Sequence, residues 1–136
     1  MSFAPQRSRE ELDPKLNELT SEIIGAAMTV HSALGPGLLE SAYEACLTHE
    51  LKKRGLTVET QVALPVIYDG VKLDCGYRID LLVADSVVVE IKAVEALTAV
   101  HEAQLISYIK LSGKRLGLLI NFHVLHLRNG IKRRIL

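Results

Sequence analysis

Residues Tyr77–Lys92 read YRIDLLVADSVVVEIK, two short apolar strands with a reversal near Asp85. If the hairpin is symmetric about Asp85, with Ala84 to Ser86 as its loop, Asp80 falls directly opposite Glu90. Cross-strand partners share a face, and alternation along the second strand adds Lys92 to that face. Two carboxylates and an ammonium then stand side by side. Like charges at that separation raise each other's pKa unless a cation intervenes, so the arrangement is costly for a scaffold and suited to a divalent metal.

Outward from this hairpin the apolar pattern continues on both sides. Val62, Leu64, Val66 and Tyr68 alternate up to Asp69-Gly70, a hairpin turn signal, and Val71, Leu73, Cys75 and Tyr77 continue beyond it. The strand Val87 to Ala93 is apolar on both faces apart from Glu90 and Lys92, which predicts a central strand covered on both sides. Upstream, Asp13 offers an N-cap with Pro14 behind it, and Leu16, Leu19, Ile23, Ala27, Val30 and Leu34 form the stripe of an amphipathic helix. Gly35-Pro36-Gly37 stops that helix. A second is expected from about Leu38 to Arg54, with Gly55 as its C-cap. Glu40 begins a stripe on it that continues through Tyr43, Leu47 and Leu51. Its carboxylate either favours the helix dipole or joins the Asp80–Glu90 cluster.

Downstream, Thr98 caps a third helix that runs to Ser112 and ends at Gly113. His101, Gln104 and Tyr108 share one stripe of it, and polar groups in a row on a packed helix need partners. Arg115 to Phe122 reads as another buried strand, and Asn129-Gly130 as the turn of a final hairpin between residues 124–128 and 131–136. Residues 1–12 carry mixed charge without periodicity and are expected to form a flexible tail on a single domain, 13–136.

Composition narrows the classes. Of the 136 residues 49% are hydrophobic and 4% aromatic, which suits an aliphatic core, and the formal net charge is zero, which weighs against a protein that coats nucleic acid by bulk charge. Cys46 and Cys75 stand outside any CxxC pair, so neither a disulfide framework nor a zinc knuckle is expected. The longest apolar runs are too short for a membrane span and no signal core follows the N-terminus, so a cytoplasmic protein with no membrane partner is expected. His49-Glu50 lacks the second histidine of HExxH. His123 and His126 point to opposite faces of a strand, and no serine or cysteine shows a nucleophile signature. His31 sits in the last turn of the first helix, where it either favours the helix dipole or contributes to the site.

Gly37-Leu38-Leu39-Glu40-Ser41-Ala42-Tyr43, within VHSALGPGLLESAYEACL, together with the Asp80/Glu90-Ile91-Lys92 hairpin and AVHEAQLISYIKLSGKRLGLLINF, resembles the GxxExxY family of the PD-(D/E)xK nuclease-like superfamily from about Leu19 to Arg134. The resemblance implies an α/β (α+β) restriction-endonuclease-like core, a central mixed sheet flanked by helices in the order α-α-β-β-β-α-β-β-β. It also implies metal-dependent hydrolysis of phosphodiester bonds. Asp80, Glu90 and the Ile91 carbonyl would hold Mg²⁺ or Mn²⁺, with Glu40 contributing directly or through water. Lys92 would assist the attacking water, and Gln104 with Tyr108 would match a QxxxY element. Tyr43, His31 and His101 are further candidates. Ile79 stands where proline would precede the aspartate. The implied partner is nucleic acid, with DNA expected, and a homodimer would supply two sites for cutting a duplex. The alternatives are a binding module for nucleic acid or protein that keeps the fold without cleavage, and a purely structural cation site.

Overall fold

In the computed structural model, which describes residues 13–136, helix α1 (Pro14–Leu34) opens as its sequence predicts: the Asp13 carboxylate accepts from the Lys15 N–H at 2.9 Å and Pro14 fills the first turn. Helix α2 (Glu40–Lys53) follows the Gly-Pro-Gly turn, and Gly55 takes a φ of +87° just past its end. The tail expected at residues 1–12 lies outside the described residues. Strands β4 (Arg78–Val83) and β5 (Val87–Lys92) pair antiparallel with Leu81 opposite Val89 and Val83 opposite Val87, so the hairpin is symmetric about Asp85. Ala84 and Asp85 both take positive φ, and Ser86 N–H donates to the Val83 carbonyl at 3.0 Å to close the loop.

β5 is central in a five-stranded sheet ordered β1-β4-β5-β6-β7, with β1 at Val58–Ala63, β6 at Leu116–Asn121 and β7 at Ile131–Ile135. β5 and β6 run parallel and the other neighbours antiparallel. A parallel pair needs a crossover, and α3 (Ala99–Ser112) supplies it. Helices α1 and α2 cover one face through Ile23, Leu47 and Leu51 against Leu81, Val89, Ile91 and Leu118. Leu105, Tyr108 and Ile109 of α3 cover the other against Leu82, Val88 and Leu119. Each fully buried Leu or Ile contributes about 1.5–3 kcal/mol, so the doubly covered strands anchor the molecule. This is the mixed α/β, restriction-endonuclease-like architecture expected. No described helix is long and apolar enough to cross a membrane, and Cys46 and Cys75 are free thiols.

Two strand assignments differ from expectation. The alternation from Val62 to Tyr68 reads as one strand, yet β1 ends at Ala63; β2 (Val66–Tyr68) and β3 (Val71–Leu73) then form a separate two-stranded arm closed by Asp69-Gly70. Pro65 brings no N–H to a ladder, so the chain leaves the main sheet there. Leu64 N–H donates instead to the Tyr77 carbonyl at 3.0 Å, where the chain re-enters. The expected strand at residues 124–128 is likewise absent. Leu127–Gly130 is a 3-10 turn, and β7 pairs with β6, Ile131 opposite Ile120. The order is therefore α-α-β-β-β-β-β-α-β-β, not α-α-β-β-β-α-β-β-β.

Two close approaches set this packing. A Cβ on Gly130 would lie 2.3 Å from the Asn121 carbonyl oxygen, which is backbone and cannot swing away. One on Gly117 would lie 2.7 Å from Ile109 Cδ1 and 2.9 Å from Leu105 Cδ1, side-chain ends that can turn. Gly130→Ala is expected to cost stability at the upper end of about 1–3 kcal/mol and Gly117→Ala at the lower end. Urea midpoints at unchanged slope measure both, and the reverse ranking would contradict the packing described.

Candidate active site

Main-chain pairing between β4 and β5 stops at Leu81 and Val89, and the two acids bridge the gap that opens beyond. Asp80 N–H donates to Glu90 Oε2 at 3.0 Å, and Ile91 N–H donates to Asp80 Oδ2 at 2.8 Å. Each carboxylate thus satisfies a backbone donor of the opposite strand, which fixes both acids at the point where the strands part. Glu90 is only 4% exposed. Burial, and then the Asp80 charge beside it, push its carboxyl up to about 8, against the pull of the Asp80 N–H and of Lys92. Ionising Glu90 therefore costs free energy that Lys92 only partly offsets, and the metal-free site holds that proton until the pH approaches 8.

Helix α2 arrives through the Gly37–Tyr43 motif, which works as one local device. Gly37 takes a φ of +103°, a left-handed conformation that favours glycine. Tyr43 is fully buried and stacks on Phe122 with ring centroids 4.5 Å apart. Its hydroxyl donates to the Gly35 carbonyl at 2.7 Å and accepts from Leu38 N–H at 3.1 Å, pinning the turn from inside. Glu40, first residue of the helix, is thereby aimed at the end of β5, where Ala93 N–H donates to its Oε2 at 3.3 Å. Tyr43 thus holds the turn that aims Glu40.

One turn further on stands Glu44, which sequence reasoning passed over. Its carboxyl is raised by burial and by the charge of Asp80, against a hydrogen bond from Gln61, and its own charge pushes Glu90 up. Gln61 on β1 was also missed; its amide donates to Glu44 at 2.7 Å and to Asp80 at 3.2 Å. The spacing of Glu44, four residues after Glu40 on one helix face, was a usable signal.

On the other side α3 brings Gln104 and Tyr108. Gln104 Nε2 donates to the Tyr108 hydroxyl at 3.0 Å. Burial raises the Tyr108 pKa, the Gln104 bond opposes it, and the charges of Glu90 and Asp80 add to the rise, which places the phenol within electrostatic reach of the acid pair. Tyr77, just before β4, meets Tyr108 edge-on at 5.9 Å. Together with Val66 and Val100 they line an open groove of about 490 Å³ beside the site. His101 is spent on the helix start, where Nδ1 accepts from Thr98 N–H at 3.0 Å in a capping box. His31 Nε2–H donates to the Val124 carbonyl at 2.8 Å and so ties the chain after β6 to α1. Neither histidine is brought to the acid pair by these bonds.

The donor set suits a small hard cation. Asp80 and Glu90 offer carboxylate oxygens, and Glu90 Oε1 accepts no hydrogen bond among the described residues. No group of three or more His, Cys, Asp or Glu forms a metal cage among them either. Magnesium binds through one or two carboxylates and keeps several waters, so a full protein cage is not required.

No curated protein and no solved structure gives a significant match. The sequence model of the PD-(D/E)XK nuclease superfamily matches residues 17–134, a span that holds α2 with its acids, the β4–β5 hairpin with Asp80, Glu90 and Lys92, and α3. With that match covering most of its length, the chain belongs to the PD-(D/E)XK nuclease superfamily.

Proposed function

We propose that this chain is a metal-dependent nuclease of the GxxExxY type that hydrolyses phosphodiester bonds of DNA. The observation that carries the reading is the Asp80–Glu90 pair: two carboxylates, Glu90 buried and Asp80 half-buried, locked at a strand parting where Lys92 only partly offsets the cost of ionising Glu90. Asp80, Glu90 and the Ile91 carbonyl would hold Mg²⁺ or Mn²⁺, with Glu40 joining directly or through water. Such a cation lowers the pKa of a bound water and stabilises charge on a phosphate. Lys92 holds an ammonium on the same strand, two residues from Glu90, where it orients the attacking water and offsets negative charge developing on the phosphoryl oxygens. Gln104 and Tyr108 present an amide and a phenol from α3 as hydrogen-bond partners for the phosphate, the water or Lys92. A homodimer would place two such sites on the strands of a duplex.

A net charge of zero favours a second reading, a nucleic-acid- or protein-binding module that keeps the fold and the cation without cutting. Purified protein incubated with plasmid, single-stranded DNA and RNA in Mg²⁺, Mn²⁺ or EDTA separates the two. DNA cleavage is expected with either metal, none in EDTA, and a loss of about 100-fold or more in Asp80→Ala. Cutting that persists in Asp80→Ala refutes the site. Metal binding without cutting of any substrate favours the binding module.

A further inference from the structure

Gln61 stands in the middle of β1 with a φ of +50°, a left-handed conformation that residues other than glycine rarely take and that strains the backbone. The strand keeps its count on both sides: Thr60 faces Leu81 and Val62 faces Ile79, so no residue is inserted and the kink is not a bulge. The same count sets Gln61 opposite Asp80. The turned backbone delivers the carboxamide between two acids, Nε2 donating to Glu44 Oε1 at 2.7 Å and to Asp80 Oδ1 at 3.2 Å. An amide nitrogen carries two hydrogens, so both bonds form at once. The amide oxygen in that place would face two carboxylates, so the chemistry fixes which end points in.

We propose that Gln61 is a positioning residue for the cation site: its amide, held by the strained backbone, locks the Asp80 carboxylate against Glu44 in the orientation that divalent-metal binding uses. The proposal rests on the reading of Asp80 as a metal ligand. Asp80 has one oxygen tied to Ile91 N–H and the other to Gln61, so both are fixed before any cation arrives. Without the amide, Glu44 and Asp80 face each other with nothing between them and repel. Residues that orient metal ligands typically change metal affinity about 10–100-fold when lost.

The test is Mn²⁺ titration by calorimetry and by the electron paramagnetic resonance signal of free Mn²⁺, together with urea unfolding in EDTA. Gln61→Gly removes the amide while glycine takes the positive φ without strain. Gln61→Asn also tolerates that φ but is one methylene too short to bridge both acids. Both variants are expected to bind Mn²⁺ about 10–100-fold more weakly, while a cooperative urea transition in EDTA shows that both remain folded. Parent-like Mn²⁺ affinity in both, while Asp80→Asn is defective, overturns the role given to Gln61. Parent-like affinity in Asp80→Asn overturns the metal reading itself, so the two failures are told apart.

Discussion

Glu90→Gln is expected to make the metal-free protein more stable at pH 8 and to abolish divalent-metal binding. The two effects have one cause. Glu90 is 4% exposed, and burial, followed by the charge of Asp80, lifts its carboxyl from 4.5 to about 8. Between those values the folded chain holds a proton that the unfolded chain has released, so stability falls as pH rises through that window. Below it both states are protonated and Glu90 contributes nothing of this kind. Above it both are ionised and the full penalty is present, with a ceiling of about 5 kcal/mol for a shift of roughly 3.5 units at 1.36 kcal/mol each. Glutamine keeps an oxygen to accept from Asp80 N–H and carries no charge, so the penalty disappears while the strand parting stays bridged. Urea midpoints in EDTA from pH 5 to pH 8.5 are expected to fall for the parent and to stay flatter for the variant. Parallel curves would show that Glu90 titrates as an ordinary surface acid. Calorimetry with Mn²⁺ supplies the second arm, where the parent binds and the variant does not.

The acid pair was legible because strand periodicity and loop length together fix register. A reversal centred on Asp85 sets Asp80 against Glu90 by counting alone, and Leu81 opposite Val89 obeys that count. The helix starts were legible for a similar reason, since Asp13 and Thr98 carry side chains that accept their own helices' amides. Strand partners were not. Alternation from Val62 to Tyr68 counts side chains and is blind to the N–H that Pro65 lacks, and Asn129-Gly130 signals a turn without saying which strand follows it home. Nor does a motif separate residues that act from residues that aim. Tyr43 and His101 share stripes with Glu40 and Gln104, yet their polar atoms are engaged with the Gly35–Leu38 turn and the Thr98 cap. Gln61 left no trace at all, because nothing in a glutamine within an alternating strand announces a left-handed backbone.

Lys92→Gln is expected to lower DNA cleavage by about 10²–10³-fold, the loss typical of removing one preorganised donor from a charge-developing centre. Lys92 ends β5 opposite Asn121, and its carbonyl accepts from Phe122 N–H at 2.9 Å, so the backbone beneath the ammonium is held by the sheet. Its charge also draws the Glu90 carboxyl down. Removing it therefore does two things: it takes a cation from the site, and it lifts Glu90 further, so that ionised Glu90 is reached only at higher pH. The two are separable by measuring Mn²⁺ affinity and cleavage of the variant from pH 7 to pH 9.5. As Glu90 ionises, metal affinity is expected to return towards the parent value, because both carboxylates and the Ile91 carbonyl are intact. Cleavage is expected to stay low, because no ammonium faces the phosphate. If cleavage recovers in step with affinity, Lys92 serves only to keep Glu90 ionised, and the assistance to water must come from elsewhere, with the hydrogen-bonded Gln104–Tyr108 pair on α3 as the candidate donors.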